Sequence, residues 1–262
     1  MTIYLYNDDG VSQDGIVHMQ HTFSALFINR YKIALISAQQ VRSTPWQSDA
    51  VLFVIGGGRD IPYHNKLKGE ANQKIKQFVQ SGGAFLGICA GAYYASASFS
   101  FAANTPQAIQ ATRELGFFPG RSVGPLEAHY LLRKGSTSPY RYLFFKEKRA
   151  PLPLFYKEGG YFESANPHEI IASYDSSHRY PAILFRTFGQ GKVLLSGIHF
   201  EYNTQGLVAI GPQAHRVPKR ISAHEKKRLR FVEKILNTTL GMVQSSGFND
   251  DAKNQIFRAV CV

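Results

Sequence analysis

The sequence predicts an α/β protein, a mostly parallel central sheet with helices on both faces, from three observations. Short apolar runs recur through the first hundred residues, helical periodicities fill the gaps between them, and glycine-rich or acidic loops follow several of the runs. Strand, helix, strand in repeated units implies parallel pairing, with the crossover helices covering both faces of the sheet. The runs at 3–6, 32–36, 50–55 and 84–88 read as buried strands. Residues 15–29 place Ile16, Met19, Phe23, Leu26 and Phe27 on one side of a helix, and residues 68–80 do the same with Ala71, Ile75, Phe78 and Val79. Ligands of such sheets sit beyond the carboxyl ends of the strands. Three loops fall there: residues 7–10, the segment Gly56-Gly57-Gly58-Arg59-Asp60, and Cys89.

From about 104 to 168 glycine, proline and aromatic residues interleave, and the pattern predicts an irregular insertion of short strands. Order returns with strands at 169–174, 182–188 and 192–196, the last two joined by a hairpin turn at Gly189-Gln190-Gly191. The chain then reads Gly197-Ile198-His199-Phe200-Glu201. A helix is expected over 222–236, opened by a capping box from Ser222 to Glu225. No repeat or low-complexity linker intervenes, so residues 1–240 read as one elaborated domain and 241–262 as a tail.

Composition narrows the function classes. Hydrophobic residues make up 44% of the 262 and charged residues 18%, which excludes disorder for the bulk of the chain. Two cysteines, Cys89 and Cys261, build neither a disulfide framework nor a cysteine-rich zinc site. No His, Cys and carboxylate cluster has ligand spacing, so no metal and no cofactor is expected. The cysteine usage fits a reducing compartment, and the chain has no signal peptide or membrane-spanning run, so a soluble cytoplasmic protein is expected. The net charge of +12 makes anionic partners conceivable. Its excess lies in residues 131–150 and 219–234, but neither stretch is a nucleic-acid motif. The second reads as the solvated face of an amphipathic helix carrying Leu229, Val232 and Leu236 inward. Nucleic acid is therefore not the expected partner, while a partner protein or a second copy stays open.

The chemistry concentrates at Gly87-Ile88-Cys89-Ala90-Gly91, a buried strand running into an Ala-rich helix. A sharp strand-to-helix turn needs small residues on both sides, and it holds the central side chain in a strained, accessible pose. The helix adds its positive end, which favours thiolate, the reactive form. A lone cysteine is otherwise an inert core residue; here the two glycines favour a nucleophile. Of nine histidines, His199 fits the base: it follows a strand, and Glu201 projects to the same face of an extended segment, where a carboxylate orients the imidazole. The alternative is a surface His-x-Glu loop. Gly57 and Gly58 allow a backbone N–H to approach an oxyanion, with Ala90 supplying the partner donor. Arg59 and Asp60 stand at the same rim, either to grip a charged substrate group or as an ordinary loop ion pair. His18, His21 and His64 read as structural or peripheral.

Gly-Ile-Cys89-Ala-Gly, the glycine loop one strand earlier, and the late Gly-x-His199-x-Glu201 together resemble the class I glutamine amidotransferase-like superfamily. The segments at 56–63, 87–95 and 196–202 are most similar to the amidotransferase-like N-terminal domain family of biotin-protein ligases and its stand-alone relatives. The resemblance implies a three-layer, flavodoxin-like α/β sandwich, with Cys89 as nucleophile, His199 as base and Glu201 as orienting acid. Two departures stand out. Phe200 replaces the proline of a common His-Pro-Glu pattern, and no Arg-rich glycine loop for biotinyl-adenylate is present, so biotin transfer is not implied. The expected function is a thiol hydrolase acting on a small amide or related acyl substrate. The alternative is a non-catalytic ligand-binding or regulatory module that retains the fold and the nucleophile elbow.

Overall fold

The computed structural model describes residues 1–27, 29–126, 140–145, 150–203 and 223–242. The chain enters through strand β1 (Thr2–Tyr6), helix α1 (Gln13–Phe27) and β2 (Lys32–Ile36). It continues through α2 (Ala38–Ser43), β3 (Ala50–Ile55), α3 (Asp60–Leu67), α4 (Glu70–Gln80) and β4 (Ala84–Ile88). The four strands and the longer helices α1 and α4 lie where apolar periodicity puts them. Helices α2 and α3 are too short to carry a periodic pattern; α2 starts on a capping box between Ser37 and Gln40.

Beyond β4 come the six-residue helix α5 (Ala90–Ala95), β5 (Ser96–Phe101), β6 (Ile109–Thr112) and β7 (Phe118–Gly124). Then follow β8 (Tyr140–Phe145), β9 (Leu152–Phe155), β10 (Tyr161–Glu163), β11 (Ile170–Ser173), β12 (Pro181–Phe188), β13 (Gly191–Ser196) and helix α6 (Glu225–Ile235). The main sheet has nine strands in the order β2-β1-β3-β4-β13-β12-β11-β8-β9. Its half from β2 to β13 is parallel. The half from β13 to β9 is antiparallel.

The sheet is thus mixed, which corrects the expectation of a mostly parallel one. The cause is loop length: Gly189 turns the chain at φ +60 directly between β12 and β13, and parallel pairing would need a crossover of about a dozen residues or more. A second, four-stranded sheet, β10-β7-β5-β6, occupies the region read as irregular. β5 follows α5 without a break, at Ser96, and the sequence reading gives no strand there.

Helices cover both faces of the main sheet. Strand alternation sends Ile3, Leu5, Leu52, Val54, Leu86 and Ile88 into one core with α1 and α6. Tyr6, Phe53, Ile55 and Phe85 point into the other, against α2 to α5. Lys226, Lys227 and Arg230 of α6 are exposed and Val232 is buried, as the amphipathic pattern predicts; Leu229 is half-buried. Glu225 is held by Arg228 of its own helix, and the capping box read from Ser222 to Glu225 falls outside the described residues, which begin again at 223. So do most of the first basic segment, residues 204–222, and Cys261 with the tail from 243. No helix among the described residues is long and apolar enough to cross a membrane.

Candidate functional site

Three neighbouring parallel strands, β3, β4 and β13, end in register, with Ile55 beside Gly87 and Ser196 beside Ile88. Their carboxyl ends therefore deliver the glycine loop, Cys89 and the His199 loop to one edge. Backbone bonds lock the three together: Cys89 N–H donates to Ser196 O at 2.7 Å, and Gly91 N–H donates to Gly56 O at 3.1 Å.

Cys89 adopts φ +52, ψ −107, a conformation that costs a side chain strain. The flanking glycines have the steric role assigned to them. A Cβ on Gly87 would meet the Gly91 carbonyl oxygen at 2.8 Å, and one on Gly91 would overlap the Ile55 carbonyl. Cys89 is 8% exposed, and its Sγ lies 3.5 Å from the Lys157 carbonyl oxygen. Helix α5 is only six residues long, so the dipole at its start is weaker than a full-length helix would give.

His199 is buried, with Nδ1 2.7 Å from Glu201 Oε1. Its N–H donates to Phe155 O at 3.0 Å, and its ring meets the edges of Phe155 and Tyr202. Burial alone pulls the imidazolium down. The Glu201 carboxylate and Cys89, through charge and hydrogen bonding, override it and raise the pKa to about 10. The alternative of a solvated surface His-x-Glu loop is not what forms: Glu201 is wholly buried.

The glycine loop serves more than one purpose. The Gly57 carbonyl accepts from Ser12 N–H at 3.0 Å and from the Tyr63 hydroxyl at 2.8 Å, while its Cα backs onto the His199 ring. Gly58, Arg59, Asp60, Cys89 and Ala90 all border a cavity of about 440 Å³. As the first residue of α5, Ala90 carries an N–H that its own helix cannot satisfy. Arg59 is exposed at the cavity rim. Asp60 pairs with Arg113, whose Nε lies 3.1 Å from both carboxylate oxygens. Burial raises the Asp60 pKa against the opposing pull of Arg113. Asp60 is therefore ion-paired, but with Arg113 from outside the loop and not with Arg59, which leaves it little capacity for a substrate. Among the described residues no group of three or more His, Cys, Asp or Glu side chains is gathered as a metal site.

Several residues beneath the site escaped the sequence reading. Tyr202 is sandwiched between Phe155 and His18, at ring separations of 4.3 and 4.0 Å. His18 is buried, and burial, with the charges of Arg228 and His199, lowers its pKa to about 3. Its neutral Nδ1 accepts from Asn203 N–H at 3.1 Å. Arg228 is 1% exposed and donates to the Phe200 carbonyl at 2.7 Å. A signal for Arg228 existed: it shares the helical face of Val232 and Ile235, where a solvated cation does not belong.

A sheet of this order, with its ligand edge built from loops after β3, β4 and β13, defines a glutamine amidotransferase-like α/β fold. A glutamine amidotransferase from Thermotoga maritima superposes with a TM-score of 0.53 at 13% identity, covering 92% of this chain and all of the other. The chain belongs to the family described as biotin-protein ligase, N terminal, which matches residues 1–261. It is 35% identical over 210 residues to a Chlamydia muridarum protein described as uncharacterized, covering 76% of this chain and 80% of the relative. It is also 26% identical over 215 residues to the biotin–protein ligase of Schizosaccharomyces pombe, covering 79% of this chain but only 34% of that protein.

Proposed function

We propose that the protein is a cysteine-dependent hydrolase of small carboxamides or related acyl compounds, with Cys89 as nucleophile, His199 as proton carrier and Glu201 as the group that orients and charges His199. The observation that carries this reading is the meeting of a positive-φ Cys89 with a buried His199–Glu201 pair at one sheet edge. A buried carboxylate 2.7 Å from the ring favours imidazolium, which places a proton donor beside the sulfur.

In the reaction, the Cys89 sulfur attacks the acyl carbon and a carbon–sulfur bond forms. The carbonyl oxygen takes the negative charge, and the N–H groups of Ala90 and the glycine loop, bordering the same cavity, are its donors. Collapse breaks the carbon–nitrogen bond, and His199 gives its proton to the leaving amine. Water, giving its proton to the now neutral His199, attacks the thioester; the carbon–sulfur bond breaks, the carboxylic acid leaves, and the sulfur and the imidazolium return to their starting state.

The test pairs covalent labelling with product release. Iodoacetamide at neutral pH is expected to modify Cys89 well before Cys261, as mapped by mass spectrometry, and a carboxamide substrate is expected to release ammonia. Absence of both with correctly folded protein would favour a binding module that keeps the fold.

A further inference from the structure

Resting on the reading of Cys89 as an acyl-accepting nucleophile, we infer that the group it accepts is a neutral, apolar acyl chain or aryl-alkyl group rather than the zwitterionic side of glutamine. The cavity at Cys89 has the volume of a small-molecule site. Its walls are Ile61, Pro62, Tyr93, Phe99, Phe101 and Ile109.

The polar groups around these walls are already engaged or point to water. The Tyr93 hydroxyl donates to the Glu158 carbonyl at 3.1 Å, so Tyr93 offers the cavity a ring. Asp60 is held by Arg113, and the Arg113 guanidinium lies over the Phe99 ring at 4.9 Å. Arg59 is exposed, and its charge is solvated. Glu158 also lines the cavity, and its backbone carbonyl is the one taken by the Tyr93 hydroxyl. Against Ile61, Pro62, Phe99, Phe101 and Ile109, an α-ammonium and α-carboxylate would give up water to apolar walls, at a high desolvation cost. A hydrocarbon chain would gain from the same walls, at roughly fourfold per buried methylene.

The measurement uses two readouts, so that failure of the chemistry and failure of the cavity assignment are told apart. Propanamide, butanamide, hexanamide, 3-phenylpropanamide and L-glutamine are titrated calorimetrically against Cys89→Ala, and offered to the wild type in an ammonia-release assay. Hexanamide and 3-phenylpropanamide are expected to bind at least tenfold more tightly than propanamide or glutamine, and kcat/KM is expected to rise along the alkyl series. Ile61→Asp, at a position 47% exposed and therefore safe for folding, is expected to weaken hexanamide binding about tenfold. Binding of hexanamide without ammonia release would uphold the apolar cavity and sink the hydrolase. Ammonia release from glutamine in preference to hexanamide would uphold the hydrolase and overturn the apolar assignment, and so would tighter binding of glutamine. Binding of none of the apolar amides overturns the inference as well.

Discussion

Gly57 and His199 are packed to the limit of contact: a Cβ added to Gly57 would lie 2.7 Å from His199 Cε1. The ring has nowhere to retreat, because Glu201 holds its Nδ1 and the edges of Phe155 and Tyr202 enclose it. Gly57→Ala should therefore displace the imidazole from Cys89 and cost about 1–3 kcal/mol in overpacking. Iodoacetamide labelling of Cys89 is expected to slow at least tenfold while circular dichroism stays that of the wild type. Unchanged labelling would mean that His199 does not set the state of the thiol.

Glu201 gives the site a pH signature. The His199 pKa is raised to about 10 because Glu201 and Cys89 overcome the burial that lowers it, against about 6.5 in the unfolded chain. The charged ring thus contributes stability that is fully present below about pH 6.5 and is lost as pH rises through about 10. Glu201→Gln removes the first of the raising partners and leaves burial dominant, so the alkaline loss should shrink. Urea unfolding of both proteins at pH 6 and pH 10 reads the difference. Equal alkaline losses would contradict the assignment.

Arg228 ties the basic helix to the site. It donates to the Phe200 carbonyl, between His199 and Glu201, and to Glu225 through Nε and Nη2 at 2.9 and 2.6 Å. Arg228→Ala should destabilise by about 3 kcal/mol, because it strands buried acceptors. Arg228→Lys should recover only part of that loss, since one ammonium cannot reproduce the fork. Lys227→Ala, on the exposed face, is expected to fall within about 0.5 kcal/mol of the wild type in the same denaturant titration.

The parallel half of the sheet was legible because its strands are short apolar runs, β3 and β4 among the most deeply buried, and Gly87, Cys89, Gly91, His199 and Glu201 were legible because a tight turn and a His-x-Glu pair have sequence forms of their own. The rest depended on contacts between distant segments. Nothing local to Asp60 marks Arg113 as its partner, and nothing near His18 announces that Tyr202 will stack on it. The second sheet went unread because β6 and β10 are three- or four-residue strands, too short for alternation to register. The antiparallel half was legible at β11 and at the hairpin of β12 and β13, where Gly189 supplies the positive φ that the turn requires, but not at β8 and β9.

Backbone strain at Cys89 gives the sharpest separation between an inherited turn and a working nucleophile. At φ +52 any side chain with a Cβ is disfavoured and glycine is not. Cys89→Gly should accordingly be more stable than Cys89→Ala by about 1 kcal/mol, a difference that isolates the strain because both variants lose the sulfur. Cys89→Ser keeps both the strain and the shape but replaces the thiol with a far weaker acid, so covalent labelling at this position and ammonia release should both vanish. His199→Ala should cost nearly as much, since no positioned group then carries the proton, whereas Glu201→Gln should retain partial activity because the ring loses charge support before it loses its place. That order, with serine and His199→Ala lowest and Glu201→Gln intermediate, is what steady-state ammonia release is expected to report. If Cys89→Ser released ammonia as fast as the wild type, the strained turn would be a feature of the fold alone.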